Sequence, residues 1–256
     1  MFRADFGFRA AFGIAMLVMG AVFLASLGAP RQTAAQSLSA DANAPALIEL
    51  FTSQGCSSCP PADRLAARLD ADPSLVVISR PVDYWDRLGW KDTFASPANT
   101  ALQQAYRRRE LAGYNGVYTP QAVINGRAGE VGSDEPALRR LLASAPPATA
   151  GLSVRAVPGK GFAIGLAGKT QRTAELVAVS VKRRASVNIG RGENRGRRVT
   201  YTNVLLGERR IAQWTGGDQS IALNRTDLPG GTSADRHALI LHVPEGGPVL
   251  AARWLD

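Results

Sequence analysis

The chain has 256 residues, of which 45% are hydrophobic and 20% are charged, with 26 glycines and 15 prolines. This composition supports a folded core and excludes wholesale disorder, collagen and a coiled coil. The formal net charge is +9, which raises nucleic acid or an anionic surface as a possible partner. Two cysteines and two histidines exclude a disulfide-dense scaffold and an all-cysteine structural zinc site.

Residues 1–35 have the order of a secretory signal peptide. Arg3 and Arg9 precede an uncharged stretch over 10–30, and small residues follow at 33–35. We predict cleavage near Ala35, a linker over 36–45, and export to the periplasm or the medium. The alternative is an uncleaved anchor, since about 20 apolar residues can span a bilayer; a membrane is a partner only in that case. Export permits disulfides and argues against nucleic acid as a partner.

Strand and helix patterns alternate over residues 46–143. Residues 46–53 (ALIELFTS) and 75–79 (LVVIS) are typical of buried strands. The helix pattern between them predicts a right-handed crossover and a parallel strand pair, and it places Asp63 on the polar side of the helix. The other predicted elements are a helix from Ser96-Pro97 to about Ala112, a hairpin over 121–131 and a helix over 135–143.

A small, proline-rich segment over 144–150 (SAPPATA) predicts a linker. Over 151–256 the pattern changes to short alternating or apolar runs separated by turn residues, with 198–206 and 211–214 as separate runs. Such spacing is typical of an antiparallel, sandwich-like all-β domain. We therefore expect an α/β domain over 46–143, with a helical insertion, followed by a separate all-β domain over 151–256.

Cys56 and Cys59 are separated by two serines and lie between a predicted strand and a helix. The positive end of a helix favours a thiolate. Because Cys56 precedes the helix and Cys59 lies at or inside its first turn, we expect Cys56 to be the more exposed and more acidic thiol. The spacing lets Cys59 close a disulfide. A structural bridge remains an alternative, although a bridge across so short a loop gains little entropy. No metal and no cofactor is expected, because His237 and His242 lie far along the chain on a strand pattern.

Tyr118-Thr119-Pro120 directly precedes a predicted strand. Proline suits a strand start, and the X-Pro bond is the common site of a cis peptide. With Cys56 and Cys59, this arrangement resembles the thioredoxin superfamily. More narrowly, the chain resembles the secreted thioredoxin-like proteins of domain-of-unknown-function family 1223. The segments that carry this resemblance are ELFTSQGCSSCPPAD (49–63), VDYWD (82–86), LGWKD (88–92), YTPQ (118–121), RGEN (191–194) and GR (196–197).

The resemblance implies a thioredoxin-like α/β fold for the first half, with Cys56 as the attacking thiol, Cys59 as the resolving thiol and Pro120 as a cis proline beside them. The backbone of Thr119 would pair with an extended substrate segment. Relatives commonly have histidine before the VDYWD segment, where this chain has Pro81, so a histidine proton carrier is not expected here.

Several aromatic and charged residues crowd the loop after the second strand, at an edge where α/β sheets bind ligands. We expect a substrate-binding lip there, and packing of the tryptophans onto the inserted helix is the alternative. The residues concerned are Asp83, Tyr84, Trp85 and Trp90, together with Tyr118. The segment 190–196 (GRGENRG) suits a hairpin loop, in which Glu193 would pair with a neighbouring arginine.

The sequence supports two functions. The first is an exported thiol–disulfide oxidoreductase that acts on a protein or a small molecule carrying a disulfide or a dithiol. The second is a non-enzymatic exported binding module with a structural disulfide. In either case we expect residues 151–256 to contribute partner choice rather than chemistry, because they contain no cysteine.

Overall fold

The first two apolar runs form neighbouring parallel strands. The computed structural model describes residues 44–111 and 116–255. Strand β1 (Ala46–Thr52) pairs in parallel with β2 (Leu75–Pro81), and helix α1 (Pro60–Leu69) connects them, as predicted. All seven residues of β2 are buried, which explains a continuous apolar run rather than an alternating one.

The other predicted elements of the first half are present with small shifts of their ends. Helix α2 (Pro97–Arg108) is capped by Ser96, and α3 (Glu135–Ser144) by Asp134. The predicted end of α2 at Ala112 lies outside the described residues. The hairpin forms from β3 (Gln121–Ile124) and β4 (Ala128–Val131).

The second half forms seven strands and two short 3-10 helices, Arg225–Asp227 and Gly231–Ser233, in the described part of the chain. The runs predicted separately at 198–206 and 211–214 are one long strand, β8. The strands are β5 (Ala150–Val157), β6 (Gly161–Gly168), β7 (Ala174–Asn188), β8 (Arg198–Trp214), β9 (Gln219–Asn224), β10 (Arg236–His242) and β11 (Val249–Trp254).

The predicted fold class is wrong. An eight-stranded mixed sheet has the order β11-β10-β7-β8-β2-β1-β3-β4, and β5, β6 and β9 form a second, three-stranded sheet. Strands from both halves of the chain therefore share the larger sheet, where we had expected a thioredoxin-like α/β domain and a separate all-β domain. β2 and β8 pair in parallel with Ser79 beside Val204, and the Ser79 hydroxyl donates to the carbonyl of Thr202 at 2.7 Å.

The shared sheet is stabilised by a core that both halves build. On one face, Leu47 and Ile78 pack in the same buried cluster as Val179 and Ile240. On the opposite side of β1, Ile48 and Leu50 pack against α1 and α3. The three-stranded sheet covers the strands of the second half through another cluster. The first half is thus one end of a larger β structure.

An ion-pair network centred on the buried Arg80 also joins the halves. Arg80 of β2 donates to Glu49 of β1 and to Glu208 of β8, at 2.6 Å in each case. Tyr106 of α2 donates its hydroxyl to the other oxygen of Glu49. Three strands and one helix are therefore connected through the buried guanidinium of Arg80 and the buried carboxylate of Glu49, with Glu208 at the solvent-accessible side.

The predicted signal peptide and most of the linker after it lie outside the described residues. Among the residues that are described, no helix is long and apolar enough to cross a membrane.

Candidate functional site

Cys56 and Cys59 form a disulfide at the start of α1, with their Cα atoms 5.4 Å apart. β1 delivers the chain to this point, and a turn follows in which the Cys59 N–H bonds to the Cys56 carbonyl. Pro60 and Pro61 occupy the first helical turn, where a backbone N–H has no helical partner. In this oxidised form both cysteines are fully buried, so the expectation that Cys56 is the more exposed is wrong for the disulfide.

The two serines between the cysteines are exposed, and Ser58 connects the disulfide to a second segment. Its Oγ lies 3.3 Å from Cys56 Sγ and donates to the carbonyl of Thr119 at 3.4 Å. The Thr119–Pro120 peptide bond is cis, as predicted, and it lies directly before β3. β3 runs antiparallel to β1 with Gln121 beside Phe51. This register places the start of β3 next to the loop that carries the cysteines.

The residues of the predicted lip divide into two groups. Trp85 donates its ring N–H to Thr119 Oγ1 and Trp90 donates to Gln54 Oε1, each at 2.8 Å, so both tryptophans contact segments that adjoin the disulfide. Asp83 instead accepts from the hydroxyl of Thr100 in α2 at 2.6 Å.

Tyr84 and Tyr118 are both half-buried. Tyr84 packs with Phe51 and Val82, and the carbonyl of Tyr118 accepts from Gln103 Nε2 at 2.8 Å. Burial raises the pKa of each tyrosine above its usual value. Trp85 packs in a cluster that includes Tyr106 of α2, whereas Trp90 packs with Ile189 and Tyr201 of the second half. A role of these residues in substrate binding stays a prediction.

The β7–β8 loop, which we define as residues 189–197, contacts the disulfide segment from the second half of the chain. Asn194, 1% exposed, donates its side-chain amide to the carbonyls of Gln54 at 3.0 Å and Cys56 at 2.7 Å. Glu193 accepts from the backbone N–H of Ser57 at 3.1 Å, where we had expected it to pair with a neighbouring arginine. A Cβ at Gly190 would lie 3.1 Å from the Trp90 ring, so glycine allows this close approach.

Asp63 of α1 is 1% exposed, although the helical pattern predicted it on the polar side. It follows Cys59 by four residues and therefore lies on the same face of α1. Thr52 donates its hydroxyl to Asp63 Oδ1 at 2.8 Å, and Oδ2 has no hydrogen-bond partner among the described residues. Burial and, to a smaller extent, the nearby charge of Asp92 together raise the pKa of Asp63 to about 8, although the Thr52 hydrogen bond opposes them.

Asp92 and Tyr201 extend this buried acidic cluster. Asp92 accepts from the Gln54 N–H at 2.7 Å, and burial raises its pKa despite that hydrogen bond. Tyr201 of β8 is buried, and burial followed by the charges of Asp63 and Asp92 raises its pKa. The sequence signal for the cluster is the i, i+4 spacing of Cys59 and Asp63, which the amphipathic pattern of α1 alone does not reveal.

The comparison with protein families identifies the chain. A family model described as "Protein of unknown function (DUF1223)" matches residues 47–243. The chain belongs to the DUF1223 family. This confirms the family-level resemblance seen in the motifs, and the matched region includes the disulfide, the cis proline and the β7–β8 loop. The comparison with curated proteins gave no match.

Two solved structures resemble this DUF1223 protein. The crystal structure of protein AGR_C_4864 from Agrobacterium tumefaciens has 28% identity and a TM-score of 0.68, covering 82% of this chain and 93% of that chain. HBP35 of Porphyromonas gingivalis has 14% identity and a TM-score of 0.51, covering 82% of this chain and 74% of that chain. The second likeness concerns the fold alone.

Proposed function

We propose that this protein is an exported thiol–disulfide oxidoreductase in which Cys56 and Cys59 alternate between a disulfide and a dithiol, as the paired cysteines of thioredoxin-like proteins do. The substrate is a protein or a small molecule that carries a disulfide or a dithiol. Export is supported by the signal-peptide order of residues 1–35. Exchange is supported by the short bridge at a helix start and by the groups around it.

The exchange begins when a substrate thiolate attacks the sulfur of Cys56. The Cys56–Cys59 bond breaks, its electron pair leaves with Cys59 as a thiolate, and a mixed disulfide joins the substrate to Cys56. A second substrate thiolate attacks the substrate sulfur of that mixed disulfide and releases Cys56 as a thiolate. The substrate dithiol has then lost two electrons, and the protein disulfide has gained them. The reverse sequence reduces a substrate disulfide.

The observation that carries the proposal is the position of Asp63. A carboxyl group is buried on the Cys59 face of α1, one turn from that cysteine, with Oδ2 unpartnered among the described residues. The Cys59 thiolate formed in the first step needs a proton, and Asp63, with its pKa raised to about 8 by burial, is protonated at neutral pH. In the reverse direction the minor fraction of Asp63 that is ionised at neutral pH accepts the proton that Cys59 must lose before it attacks. A structural bridge has no use for such a group.

Ser58 is placed to stabilise Cys56 as a thiolate. A hydroxyl 3.3 Å from Cys56 Sγ can donate to the thiolate once the disulfide opens, and a donated hydrogen bond stabilises the charged form. We therefore assign Cys56 to attack and to the mixed disulfide. Cys59, which precedes the first residue of α1 and shares a face with Asp63, is assigned to the internal step.

The reduction potential of the pair tests the proposal. The full chain is equilibrated in mixtures of reduced and oxidised glutathione, the thiols are trapped by alkylation, and the disulfide fraction is read by mass spectrometry. We expect exchange with glutathione and a potential above about −300 mV. In Asp63→Asn the exchange rate near pH 7 should fall, whereas Asp134→Asn, which changes an exposed aspartate at the start of α3, should not alter it. A disulfide that resists every glutathione mixture overturns the proposal.

The binding-module alternative is favoured by one observation, the complete burial of both cysteines. A bridge sealed from solvent would hold the loop between β1 and α1 in one conformation. The same titration separates the two functions, because structural bridges in exported proteins usually have potentials below about −300 mV.

A further inference from the structure

A carboxylate of the protein itself accepts a hydrogen bond from a backbone N–H next to the disulfide. Glu193 accepts from the backbone N–H of Ser57, the residue after Cys56, at 3.1 Å. The hydrogen bonds from the Ser57 side chain and backbone lower the pKa of Glu193, so it binds as a carboxylate at neutral pH. The loop that carries the cysteines therefore presents a site that accepts an anion.

Two arginines flank this carboxylate without pairing to it. Arg191 and Arg195 each lie two residues from Glu193, at most about 7 Å along the chain, and both are exposed. Neither forms an ion pair with any residue in the described ranges. Glu193 is directed to Ser57 instead, so neither guanidinium group has a carboxylate partner among the described residues.

The β7–β8 loop makes two contacts with the cysteine segment, one buried and one exposed. Asn194 makes the inner contact, which is buried, and Glu193 makes the outer contact, which is exposed. Both cysteines are fully buried, so a substrate must displace part of the surrounding structure before it reaches Cys56. The exposed contact between Glu193 and Ser57 is the one that a solvent-borne group can replace without opening the buried contact.

We propose that the β7–β8 loop selects substrates that carry a carboxylate close to the reacting sulfur. The substrate carboxylate replaces Glu193 on the Ser57 N–H, and Arg191 and Arg195 pair with the incoming negative charge. This inference rests on the proposed exchange reaction and names its substrate class, an anionic thiol or disulfide. Charge complementarity of this kind acts mainly on the rate of encounter.

The test compares reduction of the Cys56–Cys59 disulfide in the full chain by three thiols of different charge. Glutathione is anionic, 2-mercaptoethanol is neutral and cysteamine is cationic at neutral pH. The rate with each thiol is measured in the wild type, in Arg191→Ala/Arg195→Ala, and in the control Arg140→Ala/Arg155→Ala. The control removes the same net charge from exposed arginines of α3 and β5. Comparing ratios of rates between variants cancels the intrinsic reactivity of each thiol.

In the loop variant, the ratio of the glutathione rate to the cysteamine rate should fall roughly three- to tenfold, and the fall should shrink in high salt. The rate with 2-mercaptoethanol and all rates of the control variant should stay at the wild-type values. An unchanged ratio in the loop variant, or an equal fall in the control, overturns the substrate class. Absence of reduction by all three thiols overturns the exchange reaction itself, so the two failures are distinguishable.

Glu193→Gln tests the replacement step separately. Removing the resident negative charge should raise the ratio of the glutathione rate to the cysteamine rate, because the anionic thiol then competes with a neutral amide. A loop that merely shields the disulfide would speed up all three thiols equally when this contact is weakened. An equal increase with all three thiols, or a lower ratio, therefore contradicts the proposal.

Discussion

Asn194 donates its side-chain amide to the carbonyl of Cys56 at 2.7 Å, across 138 residues of chain. The same amide donates to the carbonyl of Gln54 at 3.0 Å. Both partners are acceptors, so only the NH2 group of Asn194 can satisfy them. The backbone on the N-terminal side of the disulfide is therefore held by the second half of the chain, and residues 151–256 contribute to the architecture of the site.

Asn194→Ala should destabilise the oxidised protein. The substitution leaves the carbonyls of Gln54 and Cys56 without this donor, and an unsatisfied buried group costs about 1–3 kcal/mol. We expect a fall of that size in the free energy of unfolding, measured by urea denaturation. Asn188→Ala is the matched control, since Asn188 is exposed at the end of β7, and it should change stability by less than about 0.5 kcal/mol. Equal effects of the two substitutions would show that the Asn194 contacts contribute nothing specific.

The raised pKa of Asp63 predicts a pH dependence of stability. Burial raises this pKa from 3.8 to about 8 in the folded protein, so between these values the native state binds more protons than the unfolded state. Stability should therefore fall as the pH rises from about 4 to about 8, with a slope that approaches ~1.4 kcal/mol per pH unit. In Asp63→Asn this part of the slope should disappear. Urea unfolding midpoints at pH 5, 7 and 9 provide the measurement.

Asp72 is a control for Asp63, because its pKa is lowered rather than raised in the folded protein. Hydrogen bonds from the Ser74 side chain and backbone lower its pKa, so its contribution is present at neutral pH and is lost as the pH falls through the acidic range. Asp72→Asn should leave the slope between pH 5 and 8 nearly unchanged. If Asp63→Asn also leaves this slope unchanged, Asp63 is not a protonated carboxyl in the native state.

Local patterns were sufficient to predict the elements that present the cysteines. The apolar runs that became β1 and β2, the prolines at the start of α1 and the proline before β3 each act within a few residues of sequence. Such signals determine which element forms and where it ends. The spacing of Cys56 and Cys59 likewise predicted that they can pair, whereas the cis bond before Pro120 was predicted from the resemblance to the thioredoxin superfamily.

Partners that are distant in sequence could not be predicted in this way. An apolar run shows that a strand is buried but does not identify its neighbour, so the pairing of Ser79 with Val204 was missed. Asp63 was placed on the polar side because the helical period does not reveal that β8 covers this part of α1. The composition of the β7–β8 loop likewise indicated a hairpin but not its contacts with Ser57 and Cys56.

Arg80→Met should strongly destabilise the fold. Burial alone would lower the pKa of Arg80, but Glu208 and Glu49 outweigh that effect and raise it, so the guanidinium stays charged between two carboxylates. Methionine fills part of the space and leaves both carboxylates without their cation. Breaking a buried ion pair in this way costs about 3–5 kcal/mol, measurable as a lower free energy of unfolding at pH 7.

Arg209→Met is the comparison for Arg80→Met, because Arg209, unlike the buried Arg80, is exposed and pairs with the half-buried Asp227. A surface pair contributes about 0–1 kcal/mol. The double variant Arg80→Met/Glu49→Gln should recover part of the lost stability, since it removes one of the unpaired charges. A loss no larger than that of Arg209→Met would mean that the network adds little to the joined sheet.

Ser58→Ala should make the Cys56 thiol less acidic in the reduced protein. The Ser58 hydroxyl lies 3.3 Å from Cys56 Sγ, and a net hydrogen bond contributes about 0.5–1.5 kcal/mol, equivalent to up to ~1 pKa unit. Alkylation at mildly acidic pH should label Cys56 before Cys59 in the wild type and proceed up to ~tenfold more slowly at Cys56 in the variant. Labelled peptides quantified by mass spectrometry give both rates. Preferential labelling of Cys59 in the wild type would reverse the assigned roles, and an unchanged Cys56 rate would show that Ser58 does not stabilise the thiolate.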